Sequence, residues 1–370
     1  MDVNFLELNI STLRNNISII KEYTQTKFCL PVKANAYGHG LQNIVRNTSD
    51  IVDFYAIACA REALEVYEVS SMVPILIFGV VEDEYLEELI LKGIRISIHR
   101  FKDIDKIEFA AKKCSKIANV HIFINTGMNM LGIDCKHAED IIQKARRSEW
   151  LNLEGVFSHL ACADENNHPF NKLQIDRFKK VYDFTKSVDN QIICHLANSY
   201  GCIGQANISF DMVRAGILSY GFLPKFKVDN VLQEIRPIAK LTTKVIKIID
   251  LEDMLEVGYS VSYTGQSSET IAILPIGYGD GLPRELGNIG VVYIKDRKYP
   301  IVGKINMDAL AISLGSNTDK VKVGCEVELI SDNPSMQNSA KSLAKKLKTI
   351  EYDIITTLNQ RVVRRDVIVK

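Results

Sequence analysis

The sequence predicts a (β/α)8 TIM-like barrel followed by a smaller, mainly β domain, and three observations carry that prediction. From the N-terminus to about residue 220, short β-branched runs alternate with segments whose apolar residues recur every three or four positions, as strands and amphipathic helices do. The strands of this alternation number eight, and right-handed crossovers make them parallel; eight such units most often close into a barrel. Near Arg236-Pro237 the pattern changes to strands and turns with little helix.

In chain order, a strand is expected at Phe5–Leu8 and a helix at Thr12–Tyr23, with Ser11 as its cap. The barrel strands are expected at Phe28–Val32, Phe54–Ala58, Ile75–Phe78, Arg95–Ile98, Val120–Asn125, Gly155–His159, Ile192–Leu196 and Met212–Arg214. Crossover helices fit Arg61–Val69, Tyr85–Lys92, Ile104–Ser115, Ala138–Arg147 and Leu173–Ser187. A doubly wound open sheet competes with the barrel, but the glycine-rich dinucleotide fingerprint that such a sheet carries after its first strand is missing. The second region reads as strands at Leu241–Ile249, Met254–Val257, Thr270–Ile276, Gly290–Ile294, Ile301–Ile305, Leu310–Leu314 and Glu326–Ile330, with one helix near Ser339–Leu347. The domains are therefore expected as 1–235 and 236–370.

Composition narrows the function. With 46% apolar and 24% charged residues among 370, the chain is globular, since disordered chains are depleted in the former and skewed in the latter. Lys plus Arg equals Asp plus Glu at 45 each, so no net field draws it to nucleic acid or an anionic membrane, and small-molecule or protein partners are expected. The eight cysteines form no C-x-x-C pair and no His/Cys cluster with zinc spacing, so no metal site is expected and most should be buried thiols in a reducing compartment. No leader pattern follows Met1, and the longest apolar stretch, Met72 to Val81, is well short of the ~20 residues that span a bilayer. A cytoplasmic protein is expected, or the cytoplasmic domain of a membrane-anchored one.

Barrel active sites gather at the carboxyl ends of the strands. There the sequence places Lys33 after the first strand, Ser158-His159 at the sixth, His195-Leu196-Ala197-Asn198-Ser199 after the seventh, and Arg214-Ala215-Gly216-Ile217 at the eighth. A lysine between Val32 and Ala34 at the end of a buried strand is costly to keep charged, and desolvation lowers its pKa. Such an amine is a good Schiff-base nucleophile toward an aldehyde. A lysine that snorkels to water is the ordinary reading of a lone residue, and the neighbours decide against it here. Ser199 and the amides near Gly216 and Ile217 fall after strands seven and eight, where barrels commonly hold phosphate. An aldehyde that carries a phosphate is pyridoxal phosphate.

Val32-Lys33-Ala34-Asn35-Ala36-Tyr37-Gly38-His39-Gly40 resembles the cofactor-lysine motif of the alanine racemase family, whose members use pyridoxal phosphate in the third of its fold types. The likeness runs through Asn125-Thr126-Gly127-Met128, His159, the His195–Ser199 and Met212–Ile217 segments, Val257-Gly258-Tyr259-Ser260, Pro275–Gly281 and Asn306-Met307-Asp308, and so covers both domains. By that resemblance Lys33 carries the cofactor and acts as base on one face of the substrate α-carbon, while Tyr259 acts on the other. Two opposed groups are needed, because one base returns the proton to the side it came from. The resemblance also implies a homodimer in which the tyrosine comes from the second subunit, giving composite sites. A phenol with a pKa of about 10 needs cationic help to act as base, which His159 and Arg214 would supply. Arg214 would also face the pyridine nitrogen and weaken the electron sink. Tyr37, Ser199, Gly216 and Ile217 match phosphate-binding positions; Tyr278, Asn306 and the Met307 backbone match substrate-access and carboxylate-binding positions. Packing in the β domain is the ordinary role for tyrosines there and is expected for Tyr263.

Three departures from the family pattern stand out. Met130 replaces an arginine after Thr-Gly-Met, and Phe123 replaces the lysine that supports that arginine. Gln360 stands where a tyrosine lies by the cofactor phosphate and limits the pocket. Its amide is smaller and can both donate to and accept from a substrate hydroxyl. This pattern resembles the serine racemases of vancomycin-resistance clusters, in which the catalytic domain follows a membrane domain, and it implies serine racemisation with residual alanine activity. The alternatives are an ordinary alanine racemase supplying D-alanine for peptidoglycan precursors and a non-catalytic cofactor-binding homologue.

Overall fold

A computed structural model describes residues 3–205, 208–253 and 255–367. The chain starts with strand β1 (Phe5–Asn9) and the helix Ile10–Thr24, and continues through β2 (Lys27–Pro31), β3 (Phe54–Ile57), β4 (Ile75–Ile77), β5 (Arg95–Ile98) and β6 (Ala118–Asn125). There follow a two-residue strand β7 (Ile133–Asp134), then β8 (Leu151–Phe157), β9 (Ile193–His195) and β10 (Met212–Arg214). Every ladder in the sheet β10-β2-β3-β4-β5-β6-β8-β9 is parallel. The circle is completed where Arg214 N–H donates to the Ala197 carbonyl at 3.0 Å and Asn198 bridges to Arg214. This is the expected barrel. Its strands are buried on both faces, as helix-covered parallel strands must be, so Phe54–Ile57 is apolar and buried throughout.

The first helix begins two residues earlier than the sequence suggests, and its cap is Asn9 rather than Ser11: Asn9 Oδ1 accepts the Thr12 N–H at 2.9 Å. Either side chain can cap a helix, and the choice follows from where the preceding strand stops.

The remaining strands are β11 (Ala239–Lys244), β12 (Lys247–Asp250), β13 (Glu256–Val257), β14 (Tyr263–Thr264), β15 (Thr270–Leu274), β16 (Val291–Ile294), β17 (Arg297–Val302), β18 (Leu310–Gly315), β19 (Glu326–Ile330) and β20 (Val363–Val367). Most join one sheet in the order β12-β15-β18-β17-β16-β19-β11-β1-β20. The single strand expected over Leu241–Ile249 is two, because the chain changes partners at Val245-Ile246: Val245 N–H goes to Cys325 O and Ile246 N–H to Ile273 O, each at 2.9 Å. Met254, the first residue of an expected strand, lies outside the described residues. A second helix, Glu351–Thr356, and the final strand β20 were not expected. Tyr263 packs on the Leu251, Val257, Ile271, Val302 and Ala311 cluster and donates its hydroxyl to Glu269, the structural role anticipated for it.

The chain divides into two compact units that differ from a cut at 235/236. One unit comprises Arg14–Ala36 and Leu41–Ile235; the other comprises the N-terminal stretch to Leu13, Tyr37–Gly40 and Arg236–Lys370. The first strand thus belongs with the β unit, antiparallel to β11 and parallel to β20. Its alternating burial fits a sheet with one covered face, unlike the barrel strands. Among the described residues no helix is long and apolar enough to cross a membrane. All eight cysteines are free, and burial pushes the thiols of Cys29, Cys194 and Cys202 up to about 12.

Because Leu8 is fully buried in β1, Leu8→Ala should cost about 2–5 kcal/mol. Hydrogen exchange locates the loss: amides of β11 and β20 should lose protection with β1, and equal loss in β2–β5 would contradict the assignment of this strand to the β unit.

Candidate active site

Lys33 ends the buried approach of β2 and opens an unusual stretch of backbone. Ala34, Asn35, Ala36 and Tyr37 have φ of 51°, 54°, 53° and 55°, and Gly38 follows at 83°. Left-handed helical geometry costs a non-glycine residue roughly 1–2 kcal/mol, so such a run needs external support. Glu62 supplies part of it, its carboxylate accepting the Ala34 N–H at 2.6 Å and the Ala58 N–H at 2.9 Å. Ala36 N–H reaches Val32 O at 2.8 Å, and Asn35 Oδ1 accepts the Leu41 N–H at 2.8 Å. In the β unit, Arg364 donates to the Gly38 carbonyl through Nε at 3.1 Å and Nη2 at 2.6 Å. Gly38 cannot be replaced, since a Cβ would lie 2.1 Å from the Ile355 carbonyl oxygen. The Lys33 amine is pushed below the ordinary lysine range by burial; the Glu62 charge opposes this and the Arg214 charge reinforces it.

Arg214, 3% exposed, is held by carbonyl and imidazole acceptors. Its Nη1 donates to His195 Nδ1 and to His195 O at 3.0 Å each. Its Nη2 donates to Ser158 O at 2.7 Å, Leu196 O at 3.1 Å and His159 Nδ1 at 3.2 Å. The rings of Phe78 and Phe157 lie at 5.7 and 5.6 Å. A guanidinium only donates, so the nitrogens it faces on both imidazoles are bare and their protons sit on Nε2. Burial, then the Arg214 and Lys33 charges, push His159 down to about 3, and burial with Arg214 pushes His195 well below its usual value.

Beyond β9 and β10, Ser199 is buried and its Oγ takes the Leu218 N–H at 3.4 Å. Gly216 and Ile217 are buried too, and among the described residues their amides meet no protein acceptor. A hydroxyl and two amides without a protein acceptor are the donor types that an anion takes. This donor set fits the phosphate of a phosphorylated aldehyde.

The β unit brings a second group of expected residues together. Tyr259 is 69% exposed on a 3₁₀ turn, steadied where Lys304 Nζ donates to Ser260 Oγ at 2.9 Å. Tyr278 N–H bonds Asn306 O at 3.1 Å and Gly279 N–H bonds Met307 O at 2.8 Å. The turn holding Gln360 is tied to the same place: Asn359 Nδ2 donates to Gly279 O at 2.7 Å, and Arg361 pairs with Asp280 at 3.2 Å and Asp308 at 2.7 Å. Gln360 itself is exposed, and the buried amide oxygen of Asn306 has no partner. Sequence reasoning passed over Glu62, Asp280 and Arg364, which hold backbone, and Arg361, which holds the Asp280 and Asp308 carboxylates.

At the departures, Met130 is 76% exposed on its turn. Phe123 stacks on Phe157 with centroids 4.6 Å apart and an interplanar angle of 17°. Among the described residues no cluster of His, Cys, Asp or Glu could hold a metal ion.

The alanine racemase N-terminal domain model matches residues 8–224, and the alanine racemase C-terminal domain model matches 238–366. Alanine racemase of Francisella tularensis subsp. tularensis (strain WY96-3418) is 54% identical over 364 residues, covering 98% of this chain and all of that protein. Among solved structures, alanine racemase of Clostridium difficile 630 superposes with a TM-score of 0.92 at 32% identity, covering 99% of this chain and 96% of that one. Alanine racemase of Bartonella henselae, solved with covalently bound pyridoxal phosphate, superposes with a TM-score of 0.87 at 27% identity and covers 99% of both chains. This chain belongs to the alanine racemase family, a family of isomerases.

The histidine pattern carries a pH consequence. Burial lowers His121 and His195, so the folded chain keeps both neutral where the unfolded chain, with imidazoles near 6.5, takes up protons. The unfolded state then binds more protons as pH falls below about 6.5, and stability should drop by up to about 1.4 kcal/mol per pH unit for each residue. Denaturant midpoints should fall between about pH 7 and about pH 5 while the ¹⁵N shifts of these two rings stay constant in the folded protein. Titration of either ring near its ordinary value would contradict the neutral arrangement.

Proposed function

We propose that this chain interconverts L- and D-alanine using pyridoxal phosphate bound to Lys33, with Lys33 and Tyr259 as the two bases. The observation that carries the reading is the combination in one barrel of a lysine with a depressed pKa, the buried Arg214 held by His159 and His195, and the Ser199, Gly216 and Ile217 group. When bound, the cofactor supplies an electron sink that acidifies the substrate α-carbon.

The chain's own groups then divide the work. Lys33 Nζ takes or returns the α-proton on one face, which requires the neutral amine that burial favours. Tyr259 Oη does so on the other face. His159, whose Nδ1 is occupied by Arg214, presents Nε2–H as a donor that stabilises a phenolate. Arg214 offers donors and no acceptor, so it holds the pyridine nitrogen unprotonated and limits side reactions. Tyr37, Ser199 and the Gly216 and Ile217 amides hold phosphate, while Tyr278, Asn306, the Met307 backbone and Gln360 border the substrate. The exposure of Tyr259, Val261 and Met307 supports a homodimer in which each tyrosine serves the other copy's barrel.

Serine is the second reading, and Gln360 favours it, because an amide in place of a phenol leaves room and hydrogen-bonding capacity for a hydroxymethyl side chain. The curated relatives named for alanine favour alanine as the principal substrate.

Racemisation of L-alanine and L-serine followed by circular dichroism tests both readings. Alanine should turn over faster, and Gln360→Tyr should reduce serine turnover more than alanine turnover; equal effects would remove Gln360 from substrate selection. Lys33→Ala should lose the visible absorbance of lysine-bound cofactor together with activity. Tyr259→Phe should keep that absorbance and lower kcat about 10²–10⁴-fold. Cofactor binding without racemisation in the unaltered protein would leave the binding-protein alternative.

A further inference from the structure

A row of polar groups runs through the barrel from buried Arg214, His195 and His121 to half-buried Glu154 and Arg95, residues that the proposed chemistry does not use. Arg214 Nη1 meets His195 Nδ1 at 3.0 Å; His195 Nε2 meets His121 Nδ1 at 3.0 Å; His121 Nε2 meets Glu154 Oε2 at 3.2 Å. Glu154 is in turn clamped by Arg95, through Nε at 2.8 Å and Nη2 at 2.9 Å. These groups come from five strands of one unit: β5, β6, β8, β9 and β10.

The directions of these bonds have a single solution. Arg214 can only donate and an ionised Glu154 can only accept. Each neutral imidazole between them has one N–H and one bare nitrogen. His195 must therefore accept at Nδ1 and donate from Nε2, and His121 must do the same. Both ends of the row demand the same tautomers. A proton added to either ring would set two N–H groups against each other or against the guanidinium, and burial disfavours that proton. Glu154 stays ionised: burial opposes it, but the His121 and Arg95 donors outweigh burial and hold it at about 2.

The rings are placed as closely as the bonds require. A Cβ at Gly155 would sit 2.3 Å from His121 Nδ1, so the glycine makes the space for that imidazole. His195 lies flat on Phe157, with centroids 4.9 Å apart and planes 6° from parallel.

We infer that Glu154, acting through His121 and His195, is a positioning residue for Arg214, and that Arg95 serves it as counter-ion. From the far end of the row the carboxylate selects the same His195 tautomer that Arg214 requires, so the bare Nδ1 stays in place to hold Arg214 Nη1. The inference rests on the proposed role of Arg214 in racemisation for its kinetic consequence, and on bond geometry alone for its tautomeric one.

Histidine-selective ¹⁵N labelling of the holoenzyme reads the tautomers. His121 and His195 should both appear as Nε2–H with bare Nδ1. The paired variant Arg95→Met with Glu154→Leu removes both charges together, so neither is left unpaired in the interior. It should give His195 a mixture of tautomers and lower kcat about tenfold, with KM unchanged. If that variant does not fold, His121→Phe interrupts the row at its middle without removing an ion and should give the same two changes. A folded variant of either kind that keeps both the wild-type His195 pattern and kcat overturns the proposal. The tautomer readout is independent of turnover, so an unaltered protein that showed the pattern without racemising would refute the functional reading and not this one.

Discussion

The barrel is organised around a buried guanidinium, Arg214. A buried cation is strongly unfavourable unless its neighbours supply acceptors. Arg214 obtains them from the carbonyls of Ser158, His195 and Leu196 and from the bare nitrogens of His159 and His195. Ser158 and Leu196 lie just past the ends of β8 and β9, and the His195 carbonyl also accepts the Ser158 N–H at 3.1 Å. Closure of the barrel at β10 and seating of the cation are thus one event: Arg214 bonds its own N–H to Ala197 while its side chain caps the two strands before it. The electrostatics of the site follow, since a fixed cation disfavours charge on Lys33 and His159 alike.

Lys33 is presented by the opposite device, a backbone held where it would not go unaided. The left-handed run from Ala34 to Gly38 is supported at one end by the Glu62 carboxylate and at the other by Arg364. A side chain on a relaxed turn could reach water; within the barrel unit, the Glu62 carboxylate on Ala34 N–H and the Ala36 N–H on Val32 O restrict the backbone on both sides of Lys33. That arrangement also explains why a motif so rich in small residues is placed directly after a strand: alanine, asparagine and glycine tolerate or relieve the geometry that β-branched residues would resist.

Much of this was legible in the chain. Arg95–Ile98, Met212–Arg214 and the helix Ala138–Arg147 have the predicted limits, because each is a patterned run with abrupt edges. The membership of Phe5–Asn9 in the β sheet was not legible, since local pattern identifies a strand but not a partner more than two hundred residues away. That Lys33, Ser199, Arg214, Gly216 and Ile217 fall at or just past strand ends could be read because the alternation of strands and helices marks those ends. The row behind Arg214 could not, as Arg95, His121 and Glu154 share no sequence spacing. A signal for it did exist. A histidine in Ala118–Asn125 and a glutamate in Leu151–Phe157 are polar residues in strands expected to be buried on both faces, and such residues need partners inside.

The departure at Phe123 takes on physical sense from the same interior. Phe123, Phe157 and His195 form one stack, with neighbouring centroids 4.6 and 4.9 Å apart. A lysine at position 123 would bring an ammonium into that stack, beside the row of imidazoles. With phenylalanine there, the position orients His195 by packing and adds no charge for the row to accommodate. Nothing in the structure explains the methionine at 130, which is exposed. The Thr126–Gly127 turn is steadied from outside, where Arg177 Nη1 donates to Thr126 O at 2.8 Å. On the proposed function, the substrate carboxylate is then held by fewer charges than the family pattern provides, which moves discrimination toward the Met307 backbone and the groups around it.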